Sequence, residues 1–382
     1  MAKGRKATPG EEEGARTPRP RPLPGVEDLV RAYSEWRFGP PGGGGARPAA
    51  RVPEEKDPGL ACVRELFEAF SVDEEWSCWE ERGFRWWPHR VEQRVWAEPA
   101  TWEPELGLAV ARVHAETGVV RNVGIPLQRA RFVASAAVLD PSLNAFLAGE
   151  EISLRAAVWV HEENLGWAGS LLQLAALAQV RNAERLAEGW AEVLGGEPAF
   201  SAHPARGPRP LPDEMLGALE GLPGRGAPSA WAEGPELRAT AEALRAEGLA
   251  ASLGPAGLSV ELPGGPGSPR LHRLEVTTAP HEGLGGGVRL RLLMADWPRD
   301  PFLGVTLFPV DLNELEIDQE PPCHLIGSWA AEPDPGARPY FNCFVPNALY
   351  RPGILLNLVL SMAIRARWAD ALIDPREEED DR

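Results

Sequence analysis

The sequence predicts an α+β protein: two tandem α-β-β-β-α-β-β-α units, each an antiparallel sheet with helices packed on one face. Three observations predict it. The order of features in the first half (ARVHAET, SLNAFLAGEEISLRAAVWV, ERLAEGWAEVL) returns in the second (HRLEVTT, DLNELEIDQEPPCHLIGSWAA, AIRARWADAL). Helical and strand periodicities alternate within each half. A Pro/Gly-rich stretch separates the halves. Identity between the copies is weak. Thr117 answers Thr278, Asn144 answers Asn313, Trp159 answers Trp329 and Trp190 answers Trp368. The offsets grow along the chain, as insertions in the loops of the second copy would make them.

Residues 1–56 are rich in Pro, Gly, Arg and Glu and form a predicted disordered segment. Within it, Val26, Leu29, Val30, Tyr33 and Phe38 have roughly the spacing of a short docking helix. The first unit spans 57–196. Leu60, Val63, Leu66, Phe67 and Phe70 make one helical stripe. FRWW, VEQRVWAEP and LGLAVARVHAE then read as strands. DPSLNAFLAGEE reads as a turn and a short helix, and Ile152, Leu154, Ala156 and Val158 form one face of the next strand. A long helix closes the unit on the stripe Leu171, Leu174, Ala178, Leu186, Trp190 and Val193, stopped by Gly195–Gly196. Its start is open, because residues 167–174 also fit a further strand. The linker 197–230 has loop composition, and the second unit, 231–373, repeats the plan. Residues 374–382 are an acidic tail.

Length and charge bound the function. At 382 residues the chain accommodates two domains. A net charge of −17 argues against nucleic acid and against anionic membranes, since both need a basic face. It suits solubility, and among partners a basic protein client. Cys62, Cys78, Cys323 and Cys343 form no CxxC and have no histidine at zinc-finger spacing. They read as small buried hydrophobes, with no metal or other cofactor implied. The basic N-terminus lacks an apolar signal region, and the run Ile354–Ile364 is too short to span a bilayer. The expectation is a soluble cytoplasmic protein.

No catalytic signature stands out: HExxH, GxSxG and the phosphate-loop pattern GxxxxGK[ST] do not occur. GLGGG at Gly283–Gly287 leads into a strand and reads as a flexible hairpin. WWPHR (Trp86–Arg90) reads as a strand end whose tryptophans cover the core, or as an aromatic clamp beside a histidine. In a strand of period two only one of Trp86 and Trp87 faces the core. Seven of the fourteen tryptophans lie at or before Trp102. That density makes Trp79, Trp86, Trp87, His89 and Trp96 the candidate binding surface. The alternative is a small-molecule or catalytic cleft between the units, around His89 or His203.

The order of elements, the SLNAF and DLNEL phrases and the closing NALYRPGILLNLVLSMAIRARWA resemble the YbjN and type III secretion chaperone-like family over most of 57–196 and 231–373. The resemblance implies a non-catalytic α+β fold that binds proteins. It also implies either a homodimer or a monomer in which the two copies make an internal pseudo-dimer.

Overall fold

The structure is a computed structural model. It describes residues 52–104, 106–125, 143–148, 151–233, 235–265, 268–278, 280–295, 308–319, 321, 323–330 and 339–373. The docking helix expected at Val26–Phe38 and the acidic tail lie outside these residues, as does all but the end of the N-terminal segment.

Asp57 organises the start of the first half. Its carboxylate accepts from the N–H groups of Gly59 and Leu60 at 2.9 and 3.1 Å. It thereby caps α1 (Pro58–Ala69), whose opening proline gives up no helical hydrogen bond. Leu60, Val63 and Leu66 of α1 are buried, as their spacing requires. The helix covers a sheet ordered β1 (Ser77–Glu80), β2 (Gly83–Trp86), β3 (Gln93–Ala97), β5 (Leu108–Arg121), β7 (Ile152–Val160) and β6 (Ala145–Ala148). Two short strands, β4 (Thr101–Glu103) and β8 (Glu197–Pro198), also pair with β5. Registers such as Phe84↔Val95, Val95↔Ala115 and Ala115↔Ala156 align the apolar residues on one face. Arg94, Glu116 and Arg155 align on the other. The long helix α2 (Leu165–Leu194) lies on the apolar face and stops at Gly195, whose φ of 64° is the left-handed conformation glycine tolerates.

After the short helix α3 (Ala230–Glu233), the second half follows the same path. Helix α4 (Glu236–Ala246) leads to β9 (Ala251–Gly254), β10 (Gly257–Pro263), β11 (Leu271–Thr277) and β12 (Gly287–Leu293). Helix α5 (Phe308–Gln319), β13 (Ser328–Ala330), β14 (Tyr340–Pro346) and α6 (Ile354–Ile373) complete it. The sheet order β9-β10-β11-β12-β14-β13 is the order β1-β2-β3-β5-β7-β6 over again. The molecule is thus α+β, with two antiparallel sheets.

Several expectations change in detail. Each sheet has an unexpected strand at its outer edge, β1 and β9, and the first sheet has β4 besides. Residues 145–148, expected in a short helix, form β6, because pairing of Phe146 with Leu154 places that ring on the apolar face. Residues 167–174 are helical. Three of the four residue matches fall on elements that do not correspond. Thr117 is on β5, which answers β12, whereas Thr278 follows β11. Trp159 is on β7 and Trp329 on β13. Asn144 precedes a strand while Asn313 lies in α5. Short alternating phrases fit any strand of a sheet, so they record the plan better than the register. Only Trp190 and Trp368 remain alike, each late in a closing helix.

The linker is a packed strap. Phe200 bridges to Val91, Ser201 N–H donates to the Arg90 carbonyl at 2.7 Å, and Leu219 is buried. Nor is the glycine hairpin a free loop. A Cβ at Gly285 would sit 2.0 Å from the Arg225 carbonyl oxygen, and Gly285 has a φ of 76°. Any other residue there would push the strap away.

The halves meet edge to edge at the matching strands β6 and β13. The Phe146 N–H donates to Ser328 Oγ, and Asn313 Nδ2 donates to the Phe146 carbonyl at 3.0 Å. Leu325 and Ala157 exchange backbone hydrogen bonds of 2.8 and 3.0 Å. Arg112 donates to the carbonyl of Ile317 at the end of α5. Beside this seam, fully buried Glu316 accepts from Arg365 Nε at 2.9 Å and from Trp329 Nε1 at 3.0 Å. Replacing Glu316 by Leu would leave Arg365 charged and unpaired in the interior. The expected cost is about 3–5 kcal/mol in urea unfolding. The double change Glu316→Leu with Arg365→Met should recover most of it, and a single-variant loss below about 1 kcal/mol would exclude the pair as a structural tie.

His324 carries a second prediction. Its Nδ1 accepts the Trp159 N–H at 3.1 Å. Burial, then the charges of Arg365 and His161, push the imidazole down to about 4. In the unfolded chain it titrates near its ordinary value of about 6.5. Between those values the unfolded state binds a proton that the folded state does not. Stability therefore rises with pH across this window and falls as pH drops from 6.5 towards 4, by on the order of 3 kcal/mol. Urea midpoints measured between pH 7 and 4 should fall less steeply for His324→Gln than for the parent chain. Parallel slopes would contradict a neutral buried ring.

Candidate functional site

The five residues expected to form one binding surface are dispersed by the sheet. Trp86 is fully buried and stacks on Phe70 at 5.3 Å. Trp87, the next residue, turns to the other side and is also buried, at 1% exposure. The strap covers it: Trp87 Nε1 donates to Ser201 Oγ at 2.9 Å, and His203 packs edge-on at 4.9 Å. Neither ring can supply contact area to a client, which corrects the sequence expectation. Trp79 is 53% exposed, packed against Phe67 on the helix side of the sheet edge. Trp96 lies on the opposite face, stacked on His114, with the guanidinium groups of Arg94 and Arg155 each 4.8 Å from its ring. His89 Nδ1 sits 3.4 Å from Glu184, whose carboxylate also holds Arg90. The residues are close in sequence, but alternation sends neighbours to opposite faces.

The described histidines are used mainly as backbone acceptors. His203 Nδ1 accepts from Ala205 and Arg206 N–H, within a turn closed by reciprocal bonds between His203 and Gly207. His281 Nδ1 accepts from Gly283 and Leu284 N–H, within the same kind of turn closed on Gly285. HPARG and HEGLG are therefore one motif used twice. His272 Nδ1 accepts from Ala295 N–H. In each neutral ring the proton then sits on Nε2. This decides the chemistry of Cys78, whose Sγ lies 3.4 Å from His203 Nε2. A thiol nucleophile needs a facing nitrogen able to take its proton. Here the facing nitrogen already carries one, so His203 donates towards sulfur. Cys62, Cys323 and Cys343 are buried, and burial pushes their thiols up to about 12. His114 is buried among Arg155, Arg112 and Glu98; burial and the two cations hold it well below its ordinary range.

A concave site does occur at the seam. A cavity of about 510 Å³ opens between the last turns of α2, the strap and the His281–Leu284 turn of the second half. Its apolar lining includes Phe146 and Trp190, stacked at 5.3 Å with 27° between their planes. Its polar lining includes Arg181, Asn182, Arg185, Arg225, His281 and Glu282. The volume is in the range of small-molecule sites. This cleft is lined by His281 and by neither His89 nor His203. Its signal in the sequence was Arg181 and Arg185 on the flank of the helical stripe. The buried face of α2 at this end is Val180, Ala183, Ala187, Ala191 and Leu194, all small or aliphatic, while Val193 is 57% exposed. The predicted stripe had drifted onto the flank that lines the cleft.

No protein-family model, curated protein or solved structure matches the chain. Among the described residues no helix is long and apolar enough to cross a membrane, and no group of three or more His, Cys, Asp or Glu is placed to hold a metal ion.

Burial makes a prediction that separates core from surface. Trp86→Ala or Trp87→Ala should each lower stability by about 3–5 kcal/mol. Trp79→Ala should cost under about 1 kcal/mol because half of its ring already meets water. Denaturant titration of the three variants checks the order, and a silent Trp87→Ala would refute the covered position of that ring.

Proposed function

We propose that this chain is a non-catalytic binding protein of the kind its resemblance to the YbjN and type III secretion chaperone-like family implies, with the seam cleft as its binding site. Two α+β halves would form an internal pseudo-dimer, and the groove where they join would receive the ligand. The observation that carries the reading is the cleft itself. Helix, strap and hairpin from both halves converge on it, it has an aromatic floor, and its polar groups come from separate segments. Large concave sites with a few convergent polar groups are where proteins bind small ligands or a partner's side chains. The non-catalytic part is supported by four histidines, His203, His272, His281 and His324, each of which spends Nδ1 on accepting a backbone N–H.

The test is to plug the cleft. Leu186→Trp and Gly283→Phe each enlarge a lining residue at a partly exposed position. A panel of metabolite-like fragments is screened on the parent chain by saturation-transfer NMR. Fragments that bind should compete with one another and lose binding in both variants, while circular dichroism stays unchanged. Binding that survives both plugs, or a panel with no binder, would overturn the assignment of this cleft.

A further inference from the structure

We infer that the cleft is selective for small molecules that combine a flat aromatic body with an anionic group, a carboxylate, sulfonate or phosphate. The inference rests on the cleft being a binding site, as proposed above, and adds the class of ligand.

The charge of the cleft runs against that of the chain. The whole protein carries −17, yet three guanidinium groups, Arg181, Arg185 and Arg225, line this one cavity with a single lining carboxylate, Glu282. Glu220 stands 3.7 Å from Arg181, but both are well exposed, so that pair is weak. Arg225 is held in place. Its Nη1 donates to the Leu219 carbonyl at 3.2 Å, and its own carbonyl accepts from Gly286 N–H across the tight contact with Gly285. A guanidinium fixed by its own backbone and presented beside an aromatic wall gives up little entropy on binding an oxyanion. Charges beyond about 8 Å are screened at physiological salt. The three arginines therefore set the local preference, whatever the net charge of the surface.

The floor sets the other half of the ligand. The half-buried Trp190 ring, backed by the buried Phe146 ring stacked on it, gives the cleft one flat apolar wall. Flat rings and guanidinium planes pack well on such a surface. About 510 Å³ holds one compound of two or three rings. A simple inorganic anion would leave the aromatic floor unused, and an aliphatic acid would use its area without stacking.

Two dyes of nearly equal shape test the proposal on the full chain. 8-Anilinonaphthalene-1-sulfonate has the ring system and the anion, and N-phenyl-1-naphthylamine has the rings alone. Fluorescence titration should show one saturable site per chain for the sulfonate, with affinity at least about tenfold above the neutral dye. Arg185→Glu, at an exposed helical position, should remove that preference, and Leu186→Trp should remove binding of both. Equal binding of the two dyes, blocked by Leu186→Trp, would overturn the anion preference and leave the cleft assignment standing. The same holds if the sulfonate titration is unchanged in Arg185→Glu. Dye binding that ignores Leu186→Trp, or no binding at all, would overturn both.

Discussion

The buried pair of Glu316 and Arg365 is the constraint on which the second half, and through it the seam, depends. Both side chains are sealed from water, where an isolated charge would cost several kcal/mol even after relaxation. Their geometry offsets this by leaving little unsatisfied. The carboxylate takes Arg365 and Trp329 Nε1; the guanidinium also donates to the His324 carbonyl at 2.8 Å and lies 3.7 Å from the centre of the Phe341 ring. One ion pair thereby fixes α5, α6, β13 and the segment before β13. Of these, α5, β13 and the segment before β13 contribute groups that the first half contacts.

Docking then uses what the pair has positioned. The last carbonyls of α5, including that of Glu316 itself, accept from Arg112 of the first sheet. A cation at a helix C-terminus is favoured by the exposed carbonyls and the helix dipole. His324, held by Arg365 through its carbonyl, offers Nδ1 to the backbone of Trp159. The neighbouring Pro321 carbonyl accepts from Trp159 Nε1 at 3.2 Å. The polar outer face of the first sheet is therefore partly an internal interface. This explains why arginines and a histidine stand where a sheet in a single-layered domain would face water.

The plan of the fold was legible in the sequence because periodicity and capping are local. Asp57 with Pro58, the stripe of α1, the β7 alternation and the Gly195 stop each follow from a few adjacent residues. What was not legible depended on partners distant in the chain. Phe146 belongs to a strand only because β7 is there to pair with it. Trp87 is buried only because residues near 201 and 203 return over it. Gly285 and Gly286 read as part of a flexible hairpin and instead allow close contact with the backbone at 225–228. The cleft is the extreme case. Arg181 and Arg185 sit on one helix, Arg225 on the strap and His281 on a hairpin, and no spacing within the chain links them.

The cleft also shows why two halves of one plan need not have two equivalent sites. The cleft takes Arg181, Arg185, Leu186 and Trp190 from the flank of α2, and its other walls come from the strap and from a turn of the second half. The opposing wall is the HEGLG turn of the second half, whose Gly285 and Gly286 pack against the strap backbone at Arg225 and Ala227. Shared strand order fixes how the sheets meet at β6 and β13. Arg181 and Arg185 of one helix, Arg225 of the strap and the glycines of one turn then make the groove beside that joint basic and closely walled.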